Sequence, residues 1–295
     1  MVFGEKRVKR PGSVCMPESK KPVIKRPGAS WPACTPAFTS HEPGVSPSPA
    51  SLQAALAEGR IQAAYQPIVA LDTGAIVAEE ALARWVTLDG TLVPAGAFIE
   101  TAAAAGLLAA IDEAVLTQTL ARCHDRRVAG LAPRLHFVNI STALLCAPER
   151  LARLAGVVAT CGTRDATDDP RLRSLVVEIT ERELIPHLQA LAGMLHPLLA
   201  AGVRLALDDF GSGYSSFLYL ADLPISFLKI EQALIARVGY DRRVDAMIRS
   251  IGRLAEDLGI VTIAEGIEST ASARAVAALG ISWGQGYHFG RPIHD

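Results

Sequence analysis

Cysteine is scarce in this chain and follows no disulfide or metal-binding pattern. The five cysteines, Cys15, Cys34, Cys123, Cys146 and Cys161, include no C-x-x-C pair, and an odd count makes a poor disulfide framework. Unpaired thiols in a reducing cytosol are therefore expected. No H-E-x-x-H spacing links the scattered histidines, which argues against zinc. Charge of one sign is lacking too: the formal net charge is −1, so no global basic field points to duplex nucleic acid. No apolar run reaches the roughly 20 residues of a membrane span. The most apolar window, residues 102–110, is short, rich in alanine and closed by Asp112 and Glu113, which predicts a packed helix. The basic first residues run into Pro11 and Gly12 rather than an apolar core, so no secretory leader is expected. These absences predict a soluble cytoplasmic protein.

What is present is unevenly spread. Residues 1–50 hold eight Lys/Arg and three Glu, a local charge of +5 that leaves −6 on the remainder. This region is rich in Pro and Ser, lacks apolar periodicity and ends in a linker-like stretch at 41–50, which predicts a disordered basic tail over 1–50. From Ser51 onward 245 residues remain, close to the ~250 typical of a (β/α)₈ barrel. Strand-like apolar runs lie at 63–71, 75–81, 135–140, 175–179, 204–207, 227–230, 260–264 and, less apolar, 286–289. Helix-period segments such as 98–122, 184–201 and 244–258 lie between them. Only Asp72, Thr73 and Gly74 separate the first two runs, a hairpin signal rather than a crossover. The expectation is an α/β fold over 51–295, a (β/α)₈ TIM-like barrel with an antiparallel first strand, rather than an open doubly wound sheet.

The runs end on, or lead into, polar or acidic residues. A buried parallel strand reads as a continuous apolar run, and its carboxyl end is where an α/β fold displays reactive groups. Glu80, Asn139, Glu178, Asp208, Asp209 and Glu265 hold such positions, and oxygen ligands from several strand ends suit a pair of hard cations. Asp208 and Asp209 are adjacent, so they can share one site only where the strand twists into a loop. An acid as deep in an apolar run as Glu178 is costly unless paired or metal-bound. Lys229, flanked by Leu228 and Ile230, needs an anion nearby if buried. Gln285 completes the ring. The Gly211-Ser212-Gly213 that follows the Asp pair lacks a Walker lysine and is expected to be an active-site loop rather than a phosphate cradle.

Eight segments carry a family resemblance, in order and over residues 52–292. They are Tyr-Gln-Pro-Ile-Val at 65–69, Glu-Ala-Leu-Ala-Arg-Trp at 80–85, Val-Asn-Ile-Ser at 138–141, Glu-Ile-Thr-Glu at 178–181, Asp-Asp-Phe-Gly-Ser-Gly-Tyr-Ser-Ser at 208–216, Lys-Ile at 229–230, Ala-Glu-Gly-Ile-Glu at 264–268 and Gln-Gly-Tyr at 285–287. Together they resemble the EAL-domain family. The resemblance implies a cyclic di-GMP phosphodiesterase that uses Mg²⁺ or Mn²⁺, two ions per site, and yields linear 5′-pGpG. By position, Glu80, Asn139, Glu178 and Asp208 would hold one metal, with Asp208 bridging to a second shared with Asp209 and Glu265. Glu265 would be the general base unless the metals alone activate the water; Lys229 would orient that water or stabilise charge, and Gln285 would support it. Arg84 would clamp a phosphate, with Leu82 and Gln66 lining the ligand site. Glu181 would pin the loop of Gly211, Ser212 and Gly213, linked to a homodimer interface, and Glu268 would help position it.

The chain departs from the family pattern at Glu231, where Asp is usual, at Ser226, Ala103 and His288, none of them a presumed ligand. A catalytically silent cyclic di-GMP receptor acting through a protein partner is the alternative reading. No cyclase, receiver or sensory motif is visible, so dimerisation or a regulatory protein partner is the expected input.

Overall fold

The computed structural model describes residues 47–132, 134–160, 175–180, 188–212 and 217–294. The predicted disorder of residues 1–46 and the candidates Glu181 and Gly213 therefore lie outside the described residues. Helix α1 (Pro49–Ala57) begins two residues ahead of the expected boundary, because Ser48 caps it: the Ser51 amide donates to Ser48 Oγ and the Ser48 amide donates to Ser51 Oγ, a reciprocal cap of the capping-box kind. Strands β1 (Ile61–Ala70) and β2 (Ile76–Val86) then form the predicted hairpin.

Six more strands complete the barrel: β4 (Leu135–Asn139), β5 (Leu175–Thr180), β6 (Arg204–Phe210), β7 (Ile225–Ile230), β8 (Val261–Ala264) and β9 (Trp283–Gln285), with β3 (Leu92–Pro94) as a short addition to β2. The order β1-β9-β8-β7-β6-β5-β4-β2 closes through β1–β2 pairing. Strands β2 and β4 to β9 are mutually parallel, and β1 is antiparallel to both its neighbours. The fold is thus an eight-stranded α/β barrel with its first strand reversed, as expected.

Ten helices occur among the described residues. After α1 come α2 (Ile99–Ala104), α3 (Leu108–Val128), α4 (Thr142–Leu145), α5 (Pro148–Thr160), α6 (Leu188–Ala200), α7 (Phe217–Asp222), α8 (Gln232–Ile235), α9 (Arg242–Asp257) and α10 (Thr270–Ala278). None is long and apolar enough to cross a membrane.

Two sequence expectations are corrected. The single helix over 98–122 is two, because Gly106 adopts φ 68 and closes α2: its amide bonds to Ala103 O and the Leu107 amide to Ala102 O, the paired bonds of a Schellman cap. The apolar window at 102–110 therefore straddles a turn. The eighth barrel strand lies at 283–285 rather than 286–289. At Gly286 the chain leaves the sheet and presses on Ile267, whose carbonyl oxygen would lie 2.2 Å from an added Cβ.

The barrel interior has two levels. Ile68, Ala78, Phe137, Val176, Ala206, Phe227 and Ile263 form a buried apolar plug with Trp283 packed against it. Side chains on one face of a strand recur every second residue. Two positions on towards the mouth from each plug residue stand Gln66, Glu80, Asn139, Glu178, Asp208, Lys229, Glu265 and Gln285. The polar ring is thus the next inward-facing layer, set on a water-excluding floor. Burying a side chain such as Phe137 or Phe227 in that floor is worth roughly 1.5–3 kcal/mol.

Candidate active site

Lys229 stands at the centre of the ring, 1% exposed. Its Nζ lies 2.8 Å from Glu265 Oε1, 3.0 Å from Glu178 Oε1, 3.2 Å from Asp208 Oδ1 and 3.4 Å from Glu80 Oε2. The buried lysine has the anions it requires, and carboxylates from four strands meet at one point. Asn139 Nδ2 donates to Glu80 Oε1 at 3.0 Å and to Glu178 Oε2 at 3.1 Å, bridging β2 and β5. Gln285 Nε2 donates to Glu80 Oε2 at 2.6 Å and to Gln66 Oε1 at 3.1 Å, while Gln66 Nε2 donates to Gly290 O. Glu80 is not at a strand end as expected: β2 runs past the barrel rim to pair with β3, so the sequence run stops at Glu80 but the strand does not.

Asp208 points inward by strand alternation, which would turn Asp209 outward. The chain avoids this with a local irregularity. Registry with β7 shifts between Leu207 and Phe210, and Asp209 takes φ 57, the one positive φ outside glycine among the described residues. Aspartate tolerates this left-handed geometry better than most residues, and such strain concentrates at functional sites. As a result Asp208, Asp209 and Glu265 can each offer an oxygen within 4.8 Å of the others.

The electrostatics follow from four carboxylates facing one ammonium. Burial pushes Glu178 well above the usual carboxylate range, and the Glu80 and Asp208 charges add to it. Burial likewise lifts Glu265 to about 8, against the pull of Lys229. For Glu80 burial is overcome by the charge of Lys229 and the Gln285 hydrogen bond, which hold it below its ordinary value. Lys229 is driven well upward because Asp208, Glu178, Glu265 and Glu80 outweigh its own burial. Such a cluster is short of positive charge. Its donors are hard oxygens, and the buried Gln285 Oε1 has no hydrogen-bond partner. That donor set fits a hard divalent cation.

The remaining candidates are more scattered. Leu82 and Arg84 continue the inward face of β2 above Glu80, both half-buried, with Arg84 Nη1 donating to Ala83 O at 2.8 Å. Gly211, at φ 103, and half-buried Ser212 follow β6. Glu268 stands exposed after β8 rather than among the buried acids. One supporting residue escaped sequence reasoning. Asp112 of α3 accepts from the Ser141 amide at 2.8 Å and from Ser141 Oγ at 2.5 Å, pinning the chain two residues beyond Asn139. A charged residue amid Ile111, Val115 and Leu116 on the apolar face of a predicted helix was the available signal. Glu79, one residue from Glu80, faces the other way and is held by Arg122, by Arg134 at 3.0 Å and by His136 at 3.2 Å.

The EAL domain family model matches residues 50–292. In Escherichia coli, the protein named probable cyclic di-GMP phosphodiesterase PdeG is 31% identical over 243 residues, covering 82% of this chain and 46% of PdeG. The bifunctional diguanylate cyclase/cyclic di-GMP phosphodiesterase MucR of Pseudomonas aeruginosa is 33% identical over 251 residues, covering 82% of this chain and 34% of MucR. Among solved structures, a PaMucR phosphodiesterase in complex with c-di-GMP superposes with a TM-score of 0.72 at 32% identity, covering 83% of this chain and 96% of that one. The chain spans less than half the length of these curated relatives. With the family match running from α1 to the last barrel strand and beyond, this chain belongs to the EAL-domain family.

Proposed function

We propose that the barrel, from α1 onward, is a metal-dependent phosphodiesterase that hydrolyses cyclic di-GMP to linear 5′-pGpG in the cytoplasm, with the residues ahead of α1 as a basic tail. The reading rests on one observation above all: Glu80, Glu178, Asp208 and Glu265 converge within 3.4 Å of Lys229 Nζ. Glu80, Asn139, Glu178, Asp208, Asp209 and Glu265 would hold two Mg²⁺ or Mn²⁺ ions, which supply Lewis acidity and neutralise phosphate charge. Glu265, whose carboxylate stands beside Asp208 and Asp209, is the candidate general base. It would take a proton as a water oxygen bonds to phosphorus; the bond to the 3′ oxygen breaks in line, and that oxygen takes a proton from bulk water to leave as a hydroxyl. Lys229 steadies the negative charge that grows on the phosphoryl oxygens. Gln285 holds Glu80 in place, Arg84 would clamp a phosphate, and Leu82 and Gln66 would line the ligand site. A homodimer is the expected assembly.

The test is hydrolysis of cyclic di-GMP with Mg²⁺ or Mn²⁺ by the parent chain and by Glu80→Ala, with circular dichroism to confirm that the variant folds. Turnover by the parent alone is expected. Metal-dependent binding of cyclic di-GMP with no product from either chain would replace the enzyme by a receptor.

A further inference from the structure

Asp208 and Asp209, at the end of β6, and Glu265, just past β8, are far apart in sequence, yet one short element touches the chain beside both. Gly211 follows Asp209 by two residues at φ 103, and a Cβ there would lie 2.3 Å from Leu234 Cδ1. Gly266 follows Glu265 directly at φ 65, and its added Cβ would lie 2.2 Å from Gln232 Cγ, 2.6 Å from Cδ and 2.8 Å from Cβ. Gln232 and Leu234 belong to the same single turn, α8. Backbone bonds tie the same three segments: the Glu231 amide to Phe210 O at 3.3 Å and the Glu265 amide to Ile230 O at 3.1 Å. The buried Ile235 roots α8 in an apolar cluster with Val69, Leu71 and Ile267.

Carboxylates gathered for a cation repel one another until it arrives, so separate loops must be held together by something else. We infer that α8 is a clamp: Leu234 against Gly211 and Gln232 against Gly266 fix the spacing between Asp209 and Glu265, and so set the affinity for the cation held by Asp208, Asp209 and Glu265. Gln232 and Leu234 are positioning residues; neither touches the cation. Glu231 at the α8 N-cap makes no side-chain capping bond, so the helix is held by its packing through Ile235 rather than by a cap. The inference rests on the metal reading above.

Manganese binding to the substrate-free chain, followed by electron paramagnetic resonance and calorimetry, tests it without reference to turnover. Gly211→Ala and Gly266→Ala should weaken Mn²⁺ binding by roughly 10–100-fold, the range for outer-shell supports of a metal site. Gly259→Ala is the control: its φ of 70 matches Gly266, but nothing lies within 4 Å of the added Cβ. It should share the backbone strain and keep Mn²⁺ affinity within about twofold, as for surface changes. Adding Leu234→Ala to Gly211→Ala removes the colliding methyl and leaves the Cβ added at position 211 in its space, so contact with α8 is kept and most of the affinity should return. The clamp is wrong if all three glycine variants bind alike, or if the double variant binds no better than Gly211→Ala. A wild-type chain that binds no Mn²⁺ would instead overturn the metal reading, and the clamp with it.

Discussion

Lys229 does two jobs that pull against each other, and its position shows how they are reconciled. A lysine this deep is costly unless paired, and here four carboxylates surround it. Those acids would be costlier still without it. Removing one member of a buried ion-pair network typically costs about 3–5 kcal/mol. Glu178 and Glu265 can relieve part of that by taking up protons, since burial already raises both. Lys229→Met should therefore lower stability in EDTA towards the smaller end of that range, and Mn²⁺ should recover much of the loss. Urea unfolding with and without metal checks this; an unchanged midpoint in EDTA would mean the lysine neutralises nothing. At this same scale the sequence was informative. Glu178 and Lys229 each interrupt an apolar run, and an isolated charge between buried neighbours implies a partner. Asp209 was legible only as a condition, that the strand must twist for the pair to share one site, and φ 57 is the local form that twist takes.

The seam between β1 and α3 shows what holds the reversed strand. Gln118 of α3 accepts from the Ala63 amide and donates to Ile61 O, so a side chain replaces ladder bonds at the start of β1. Tyr65 lies beneath the Arg122 guanidinium, 4.0 Å from its ring centroid. Burial pushes the Tyr65 phenol up to about 12 from its usual 10. The unfolded chain thus ionises first as pH rises, so the stability from this residue is complete below about 10 and is lost between 10 and 12. Tyr65→Phe lacks that loss. Urea midpoints of the two chains, compared from pH 8 to pH 11, should diverge from pH 10 upward, with the wild type falling faster; parallel curves would contradict the assignment. Elements were legible where they were long and periodic, as with α9 at 242–257 against an expected 244–258. They were misread at two glycines, one for a local reason and one for a tertiary reason. Gly106 splits one apolar helix pattern by a cap, and the approach of Gly286 to Ile267 moves the last strand back to a three-residue stretch with almost no pattern of its own.

Across the whole molecule, barrel closure converts linear spacing into a fixed cage. Eight strands bring one inward residue each to the same level, so the oxygens of the ring cannot spread freely to suit a larger ion. Calcium takes six to eight oxygens at longer distances than magnesium, and such a cage should serve it poorly. Hydrolysis of cyclic di-GMP with Ca²⁺ should run far below the rate with Mg²⁺; equal rates would mean that the mouth is looser than its packing implies. The plug of Phe137, Phe227 and their neighbours matters to the same end, because it keeps water from entering below the polar ring and weakening its charges.

Residue order alone determined the alternation of strands and helices, the reversed first strand and most members of the ring, because period-two burial and the cost of a buried charge are written locally. Tertiary structure decided what depends on distant partners: that Glu80 lies mid-strand beside β3, that the last barrel strand stops at Gln285, and that α8 touches two loops at once. Those outcomes come from excluded volume and backbone geometry between segments that only closure of the barrel brings into contact.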